Sequence, residues 1–479
     1  MIKSLIKDTL IYSIPTIVSR GIGIFLLPIY TRITSPDQLG ALELFIAFST
    51  IISITVALEI TQGISRFLPE SDQGLRGSYA TTGLAFSTFM YVISIFLMYI
   101  FAEYLSVFIT GSNQYLTEFY LILIYIFFNS YYYYFQNILR FEGKSTQYSI
   151  SSVTYALINI VIVFLLGVVL DYSLQAILIS LILSSFFGSF LGLFFLRNSF
   201  ALNFSFNLLK KLLAFSIPLV PASVFIFISL YIDRFMINHF LGLEQVGIYS
   251  IGTKISSATG LILIGFQMAI TPLVYKNYHL ERTRNDLSII FKYFTAFALI
   301  FFLSFSLLAN EILLLLTTDY FLIAAPLIPI LVLSFLFSHM YVFMPGIAIK
   351  KKTYLILIFN FLVVLINVLL NYILIPKQGI FGASLATCCA NLFGFFCYVY
   401  FSQKLYYVQH NWYRYCTVFL ISLVMLYCAF NYIDSLDTHI LYLSKLLLLT
   451  TFIAVLFLFK ILSIDEFLSF KSIIFKKTQ

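Results

Sequence analysis

The chain has 479 residues, of which 61% are apolar or aromatic and only 10% are charged. An ordinary soluble domain carries about a quarter charged residues, so this composition excludes a water-soluble enzyme. The formal net charge of +8 does not indicate a nucleic-acid partner, because the cations lie in short loops between apolar runs. The five cysteines lie within apolar runs, so no disulfide or redox site is expected.

Apolar runs of about 20 residues, the length that crosses a bilayer, recur along the whole chain. Because the runs are continuous rather than alternating, they predict helices and not the strands of a barrel. Arg20 interrupts the N-terminal run and no signal-peptide cleavage site follows it, so this run is interpreted as a retained first helix. The sequence predicts about 14 transmembrane helices, at residues 9–33, 39–65, 77–101, 115–139, 146–170, 173–196, 211–240, 245–271, 287–310, 322–347, 353–375, 380–403, 412–432 and 438–460.

The distribution of Lys and Arg sets the predicted orientation, since these residues favour the cytoplasmic ends of spans. With the N-terminus in the cytoplasm, most of the 28 cations fall on the inner side. Three fall on the outer side, Arg32, Lys377 and Lys445. An even number of spans then places both termini in the cytoplasm. The loops reach about 15 residues, which leaves no space for a catalytic domain outside the membrane.

The two halves of the chain repeat one another at a spacing of about 207 residues. Gln38-Leu39-Gly40 recurs as Gln245-Val246-Gly247, and Leu157-Ile158-Asn159 recurs as Leu365-Ile366-Asn367. Each repeat holds six helices, so both halves enter the membrane in the same sense and predict two parallel lobes around a central cavity. The predicted fold is an all-α polytopic membrane protein with an N-terminal lobe at 1–200, a C-terminal lobe at 201–408, and two additional helices with a cytoplasmic tail at 409–479.

Cations inside apolar runs are candidates for binding a substrate. A charge at the centre of a spanning helix costs about 2.5–3.5 kcal/mol on insertion scales, so each one requires a function or a partner. Arg20 is the deepest, about 16 Å along its helix, and Lys254 lies on a polar face with Ser250 and Ser257. These two and Arg234 are the candidate substrate-binding residues. Pairing with a structural carboxylate, or polar contact between helices, is the alternative.

Other charged residues are candidates for ion coupling or gating. Glu59 and Arg66 lie on one predicted helix face near the inner end of the second span, as a proton site or a gate pair. Asp233 precedes Arg234, and since adjacent residues in a helix point about 100° apart, the two are not expected simply to neutralise each other. An interfacial side chain or an ion pair between the lobes is the alternative. Glu43 lies near the predicted outer surface, where a structural role is expected.

Polar and aromatic residues add two expectations. Asn159 and Asn367 occupy equivalent positions of the repeat and are expected to join helices by hydrogen bonds. The run Tyr131–Tyr134 predicts an aromatic cluster at the inner leaflet, with stacking against sugar rings as the alternative. The sequence contains no Walker A loop, HExxH, GxSxG or CxxC motif, so no catalytic residue, metal site or cofactor is predicted. The energy for any transport would then come from an H⁺ or Na⁺ gradient or from consumption of the product on the far side.

Several motifs resemble a known family. They are the first helix with Ser13-Ile14-Pro15 and Arg20, Leu27-Pro28-Ile29-Tyr30, Gln38-Leu39-Gly40-Ala41, Pro218-Leu219-Val220-Pro221, Tyr231-Ile232-Asp233-Arg234, Leu241-Gly242 and Val246-Gly247-Ile248-Tyr249-Ser250. Together with the length and the repeat, they resemble the polysaccharide transporter family of the multidrug/oligosaccharidyl-lipid/polysaccharide exporter (MOP) superfamily, which includes bacterial O-antigen repeat-unit flippases.

The resemblance implies a transporter and not an enzyme. It implies a flippase that moves an undecaprenyl-pyrophosphate-linked oligosaccharide, either O-antigen or another surface polysaccharide unit, across the bacterial inner membrane by alternating access. The expected partners are this lipid-linked glycan, membrane lipid, a polysaccharide polymerase and a chain-length regulator. A lipid II flippase and a multidrug or cation antiporter of the same superfamily are the alternatives. A membrane-embedded polysaccharide polymerase is the alternative from another class, which the short loops oppose.

Overall fold

The computed structural model describes residues 21, 23–201, 203–352, 354–433 and 438–463, and these ranges are helical with short turns between the helices. The first half contains α1 (Leu27–Ile33), α2 (Pro36–Val56), α3 (Ile60–Phe67), α4 (Gln73–Ile100), α5 (Ala102–Thr110), α6 (Leu116–Phe141), α7 (Ser145–Phe164) and α8 (Leu174–Leu196). The second half contains α9 (Phe206–Ser216), α10 (Val220–Leu241), α11 (Leu243–Asn277), α12 (Glu281–Leu307), α13 (Ala309–Leu316), α14 (Leu327–His339), α15 (Gly346–Ile349) and α16 (Tyr354–Leu405). Two further helices follow, α17 (Trp412–Cys428) and α18 (Thr438–Leu458).

The helices are those of a multi-pass membrane protein. By length and composition, nine of the described helical stretches can cross a bilayer. One of these, α16, contains two spans, because Gly379 adopts φ 62° and ψ −144° and the chain turns back there. The rings of Phe359 and Phe401 consequently lie 5.1 Å apart, which a straight helix would forbid. The described helices fit the predicted all-α fold with about 14 spans, the first of which lies largely outside the described residues.

The internal repeat is visible in the helices themselves. The short helices α5 and α13 follow α4 and α12, and they begin 207 positions apart. Asn159 Nδ2 donates to Ser180 Oγ at 3.4 Å, and Asn367 Nδ2 donates to Thr387 Oγ1 at 3.1 Å. Both asparagines are buried, Asn159 joins α7 to α8, and Asn367 joins the two spans of α16. The prediction that these amides connect helices is therefore confirmed.

The two halves meet where α2 and α11 begin, on the predicted outer side. A Cβ atom on Gly40 would lie 2.0 Å from the Leu243 carbonyl oxygen, and one on Gly247 would lie 2.0 Å from the Pro36 carbonyl oxygen. Leu243 and Gly247 follow Pro36 and Gly40 by 207 positions each, so the two contacts are equivalent by the repeat. A two-fold contact is self-complementary in this way. We call these four residues the glycine seam.

Two hydrogen bonds between the halves obey the same symmetry. Thr31 Oγ1 donates to the Leu316 carbonyl oxygen at 3.5 Å, and Asn238 Nδ2 donates to the Ile109 carbonyl oxygen at 3.2 Å. Thr31 and Asn238 are 207 positions apart, as are Ile109 and Leu316. The short helices α5 and α13 thus each supply a carbonyl group to the opposite half. Together with the glycine seam, these bonds close the bundle at this end.

The second predicted span, 39–65, is not one continuous helix. α2 ends at Val56 and α3 begins at Ile60, because Leu58 (φ 48°) and Glu59 (φ 53°) adopt the left-handed conformation. For residues with a side chain this conformation costs roughly 1–2 kcal/mol each. Neither Gly nor Pro marks the interruption, which is why the sequence pattern does not predict it.

The two C-terminal helices pack against the second half of the chain. Phe291 of α12 contacts the rings of Trp412 and Tyr415 of α17. Lys445 of α18 is only 3% exposed, and its Nζ lies 2.7 Å from Glu311 Oε1 of α13. A buried ion pair of this kind fixes one helix against another, because removing either partner would leave a buried charge without compensation.

Candidate functional site

A central cavity of about 720 Å³ lies between the two halves. The helices that form the glycine seam also line this cavity, since α2 contributes Glu43 and α11 contributes Lys254. Glu43 lies about one helical turn beyond Gly40, and Lys254 about two turns beyond Gly247. Arg234 of α10 and Arg140 of α6 also contribute charged side chains to the wall. The position of the seam therefore determines which charges face one another across the cavity.

Glu43 bridges the two halves at this point. Its Oε1 lies 2.5 Å from Lys254 Nζ, and its Oε2 lies 3.4 Å from Arg234 Nε. The carboxylate is almost fully buried, whereas the Lys254 side chain remains 24% exposed to the cavity. One acidic side chain from the first half thus contacts two basic side chains from the second half.

A second carboxylate, that of the adjacent residue Asp233, also contacts Arg234. Asp233 Oδ1 accepts from Arg234 Nη1 at 3.3 Å, and Asp233 Oδ2 accepts from the Tyr249 hydroxyl at 2.6 Å. Asp233 and Arg234 thus form an ion pair although they are adjacent in the helix, and Arg234 also forms the ion pair between the lobes that the sequence analysis gives as the alternative. The long arginine side chain folds back along its own helix, where Nη1 also donates to the Leu230 carbonyl oxygen at 2.9 Å. We call Glu43, Asp233, Arg234 and Lys254 the charge cluster.

The charge cluster balances two cations against two anions in a site that is largely shielded from water. Removing a charged group from water costs several kcal/mol, and this cost is recovered only when the opposite charges are in contact. Removing one partner of such a pair typically costs about 3–5 kcal/mol. The contact between the halves is therefore sensitive to anything that competes for Arg234 or Lys254, above all another anion.

The structure brings together three of the residues that the sequence analysis selects, Lys254, Arg234 and Asp233. Glu59 lies outside this cluster and lines a neighbouring cavity in the first half. Arg66 lies near the end of α3, where it forms an exposed ion pair with Glu70 and not with Glu59. Arg20 lies outside the described residues.

Two residues of the site are not among the sequence candidates. Glu43 has the signal of a charge within an apolar run, but its partners are more than 190 positions away and only the packing of α2 against α11 brings them to it. Arg140, at the end of α6, lines the same cavity and donates from Nη2 to Asn137 Oδ1 at 2.9 Å. In sequence, Arg140 is indistinguishable from the other cations of the predicted inner loops. Among the described residues, no cluster of three or more His, Cys, Asp or Glu side chains is arranged to hold a metal ion.

The fold is similar to that of solved transporters. A structure of the lipid II flippase MurJ in an inward closed conformation is 19% identical, covers 94% of this chain and 98% of that chain, and has a TM-score of 0.71. An inward-facing multidrug resistance MATE family transporter of the MOP superfamily is 18% identical over 81% of this chain and 94% of that chain, with a TM-score of 0.65. An outward-facing structure of a transporter of that family has a TM-score of 0.58, at 18% identity over 83% and 95% of the two chains.

These similarities show the fold, which the chain shares with solved lipid II flippase and MATE transporter structures. The family model described as "Polysaccharide biosynthesis protein" matches residues 5–278, and the one described as "MatE" matches residues 218–373. No curated protein sequence matches the chain. Since the first model covers more than half of the chain, the chain belongs to the polysaccharide biosynthesis protein family of the MOP superfamily.

Proposed function

We propose that the chain is a flippase for an undecaprenyl-pyrophosphate-linked oligosaccharide in the bacterial inner membrane. The observation that carries this proposal is the cavity between the halves, whose wall combines Arg140, Arg234 and Lys254 with tyrosine rings and amides. A pyrophosphate and sugar hydroxyl groups cannot cross about 30 Å of hydrocarbon unaided, because each unsatisfied polar group there costs several kcal/mol. A polar cavity removes that cost, while the polyprenyl chain stays in the bilayer.

The lobes at 1–200 and 201–408 would exchange inward- and outward-facing states around this cavity. Arg234 and Lys254 are proposed to bind the pyrophosphate, together with Arg20. Both described cations are in contact with Glu43, so the incoming anion competes with this carboxylate. Once Glu43 is displaced, the ion pairs that connect α2 to α10 and α11 are broken. Substrate binding itself would thereby loosen the contact between the halves. A ligand shifts a conformational equilibrium only when it binds one conformation more tightly than the other, and the substrate would favour the conformation in which this contact is open.

Ion coupling is proposed to involve the acidic residues of the same region. Asp233 would release Arg234 on binding H⁺ or Na⁺, and Glu59 with Arg66 would act at the predicted inner end. With both termini in the cytoplasm, the substrate would enter from the inner leaflet and leave on the outer side. A polysaccharide polymerase and a chain-length regulator would then consume it. The lipid-linked glycan would be released chemically unchanged, as expected of a transporter and not of an enzyme.

The direct test is deletion of the gene followed by analysis of lipid-linked sugars in the native bacterium. We expect loss of a surface polysaccharide and accumulation of its undecaprenyl-pyrophosphate-linked unit at the inner leaflet. Lys254→Gln and Arg234→Gln should fail to restore the polymer, whereas Lys254→Arg, which keeps the charge, should restore part of it. A deletion strain with normal surface polymer and no accumulated lipid would contradict the proposal, and the glycan that accumulates would distinguish O-antigen from lipid II.

One observation favours a second candidate, a multidrug or cation antiporter of the same superfamily. Glu43 and Asp233 balance the two cations of the charge cluster, so the cluster carries no net positive charge, which suits an organic cation better than it suits an anion. Purified protein in proteoliposomes distinguishes the two functions. Ion-driven uptake of an organic cation without movement of a fluorescent undecaprenyl pyrophosphate lipid would support the antiporter.

A further inference from the structure

A second cavity, of about 380 Å³, is lined by the first half and by Tyr231 of the second half, and it adjoins the central cavity. We propose that it is the subsite for uncharged sugar rings of the transported glycan, a proposal that rests on the flippase function above. Six tyrosines share its wall, and we call the space the tyrosine chamber: Tyr91, Tyr125, Tyr131, Tyr133, Tyr134 and Tyr231. Its volume falls within the range of about 300–1,000 Å³ that is typical of small-molecule sites.

The four rings of the run Tyr131–Tyr134 have different partners. Tyr131 donates to Thr88 Oγ1 at 2.7 Å, and Tyr134 donates to the Ala80 carbonyl oxygen at 2.6 Å, so both rings are tied to α4. Tyr132 stacks on Tyr155 of α7 with ring centroids 4.7 Å apart. Tyr133 is 58% exposed and lines both cavities. Tyr131 and Tyr134 are therefore fixed in the wall of the chamber, Tyr132 lines the central cavity, and Tyr133 presents its surface to both cavities.

These walls have the chemistry that recognises a sugar ring. Aromatic faces pack against the apolar C–H face of a pyranose, and amides exchange hydrogen bonds with its hydroxyl groups. Asn129, Asn137 and Gln62 supply the amides. Tyr91 is held by its hydroxyl, which donates to the Ser53 carbonyl oxygen at 2.9 Å. Because the rings are already fixed, little conformational freedom is lost when a ligand binds.

The charge of the chamber selects among sugars. Of the described residues that line it, Glu59 alone carries a charge. A carboxylate accepts hydrogen bonds from hydroxyl or amide groups but repels the carboxylate of a hexuronic acid. The chamber is therefore suited to hexoses and N-acetylhexosamines, and it disfavours acidic sugars.

The chamber is also in the correct place relative to the charge cluster. Tyr231 lines both cavities, and the Arg234 guanidinium lies 5.3 Å from the centre of its ring. A pyrophosphate bound at Arg234 would thus lie next to the opening of the chamber. The sugar attached to that pyrophosphate would be the one that enters.

The test measures binding of three lipids to the full-length protein in nanodiscs. The probes are undecaprenyl pyrophosphate, the same lipid with a neutral hexosyl-N-acetylhexosamine disaccharide, and the same lipid with a disaccharide that ends in a hexuronic acid. The wild-type protein should bind the neutral glycolipid more tightly than either of the others. Tyr133→Leu should bind the neutral glycolipid about tenfold more weakly, the loss of one stacking contact of about 1.4 kcal/mol, and should lose less of its affinity for undecaprenyl pyrophosphate, although Tyr133 also lines the central cavity. Tyr133→Phe, which keeps the ring, should behave as wild type.

The outcomes separate this proposal from the flippase proposal. If the wild-type protein binds none of the three lipids, the flippase function is contradicted. If it binds all three and Tyr133→Leu still binds the neutral glycolipid normally, the chamber is not a sugar site. If Tyr133→Leu also loses the binding of undecaprenyl pyrophosphate, the sugar site is tested with Glu59→Gln instead, because this substitution preserves the shape of the chamber. Glu59→Gln should reduce the discrimination against the hexuronic acid about threefold or more, and unchanged discrimination would overturn the proposal.

Discussion

The glycine seam provides the sharpest quantitative prediction. In Gly40→Ala the new Cβ would lie 2.0 Å from the Leu243 carbonyl oxygen, whereas ordinary contacts begin at 3.4 Å. The neighbouring atom is backbone, so α2 and α11 must separate by roughly 1.4 Å at this point. Overpacking of this kind costs about 1–3 kcal/mol. An energy of that size changes a conformational equilibrium by about five- to 150-fold.

The cost applies only to the conformation in which the seam is closed. Gly40→Ala is therefore expected to shift the population toward a conformation that is open on the predicted outer side. Gly247→Ala should have the same effect, because its Cβ would lie 2.0 Å from the equivalent carbonyl oxygen, that of Pro36. Asp37 and Glu244 are exposed, repeat-equivalent positions beside the seam. Spin labels at Asp37→Cys and Glu244→Cys report the distance between α2 and α11 by pulsed electron resonance. The five native cysteines, all in the second half or beyond, are first replaced by serine.

Gly252→Ala is the matched control, because it adds the same atom to α11 where the nearest atom, Leu331 Cδ1, would be an ordinary 3.5 Å away. Its distance distribution should therefore equal that of the unsubstituted protein. If Gly40→Ala and Gly247→Ala also leave the distribution unchanged, the seam does not control closure. If only one of the two changes it, the equivalence of the two contacts is refuted.

Three further predictions concern charged groups. Glu43→Gln should bind undecaprenyl pyrophosphate more tightly than wild type but transport it more slowly, because the competing carboxylate is lost together with the contact between the halves; equal affinity in a binding assay would contradict the competition. Lys445→Met should lower the free energy of unfolding by about 3 kcal/mol, visible as a reduced Tm in detergent, and the double variant with Glu311→Leu should recover most of this loss. Burial lowers the pKa of His410, in the turn before α17, to about 4. Since the unfolded side chain titrates near 6.5, the unfolded state binds more protons between these values, and stability is lost as the pH falls from about 6.5 to 4. His410→Leu should flatten this dependence, and an equally steep fall of Tm would refute it.

Composition and spacing along the chain determined the class of protein. Whether a run of residues prefers hydrocarbon depends on its own side chains, so the spans and their repeat could be predicted without knowing which helices touch. The equivalence of Asn159 and Asn367 could also be predicted from the sequence alone. Each amide needs a partner wherever its helix lies in the membrane, and both find one in the next helix of their own half.

The pairing of charges was decided by the tertiary structure. Glu43 looks interfacial in sequence, yet it joins Arg234 and Lys254 because two glycines let α2 and α11 approach at backbone contact. The residues near Glu43 in the sequence do not indicate that α2 and α11 approach so closely. Likewise, four consecutive tyrosines point to different sides of α6 and acquire different partners. Electrostatic and packing energies depend on distances across helices, which a pattern of residues along one helix does not contain.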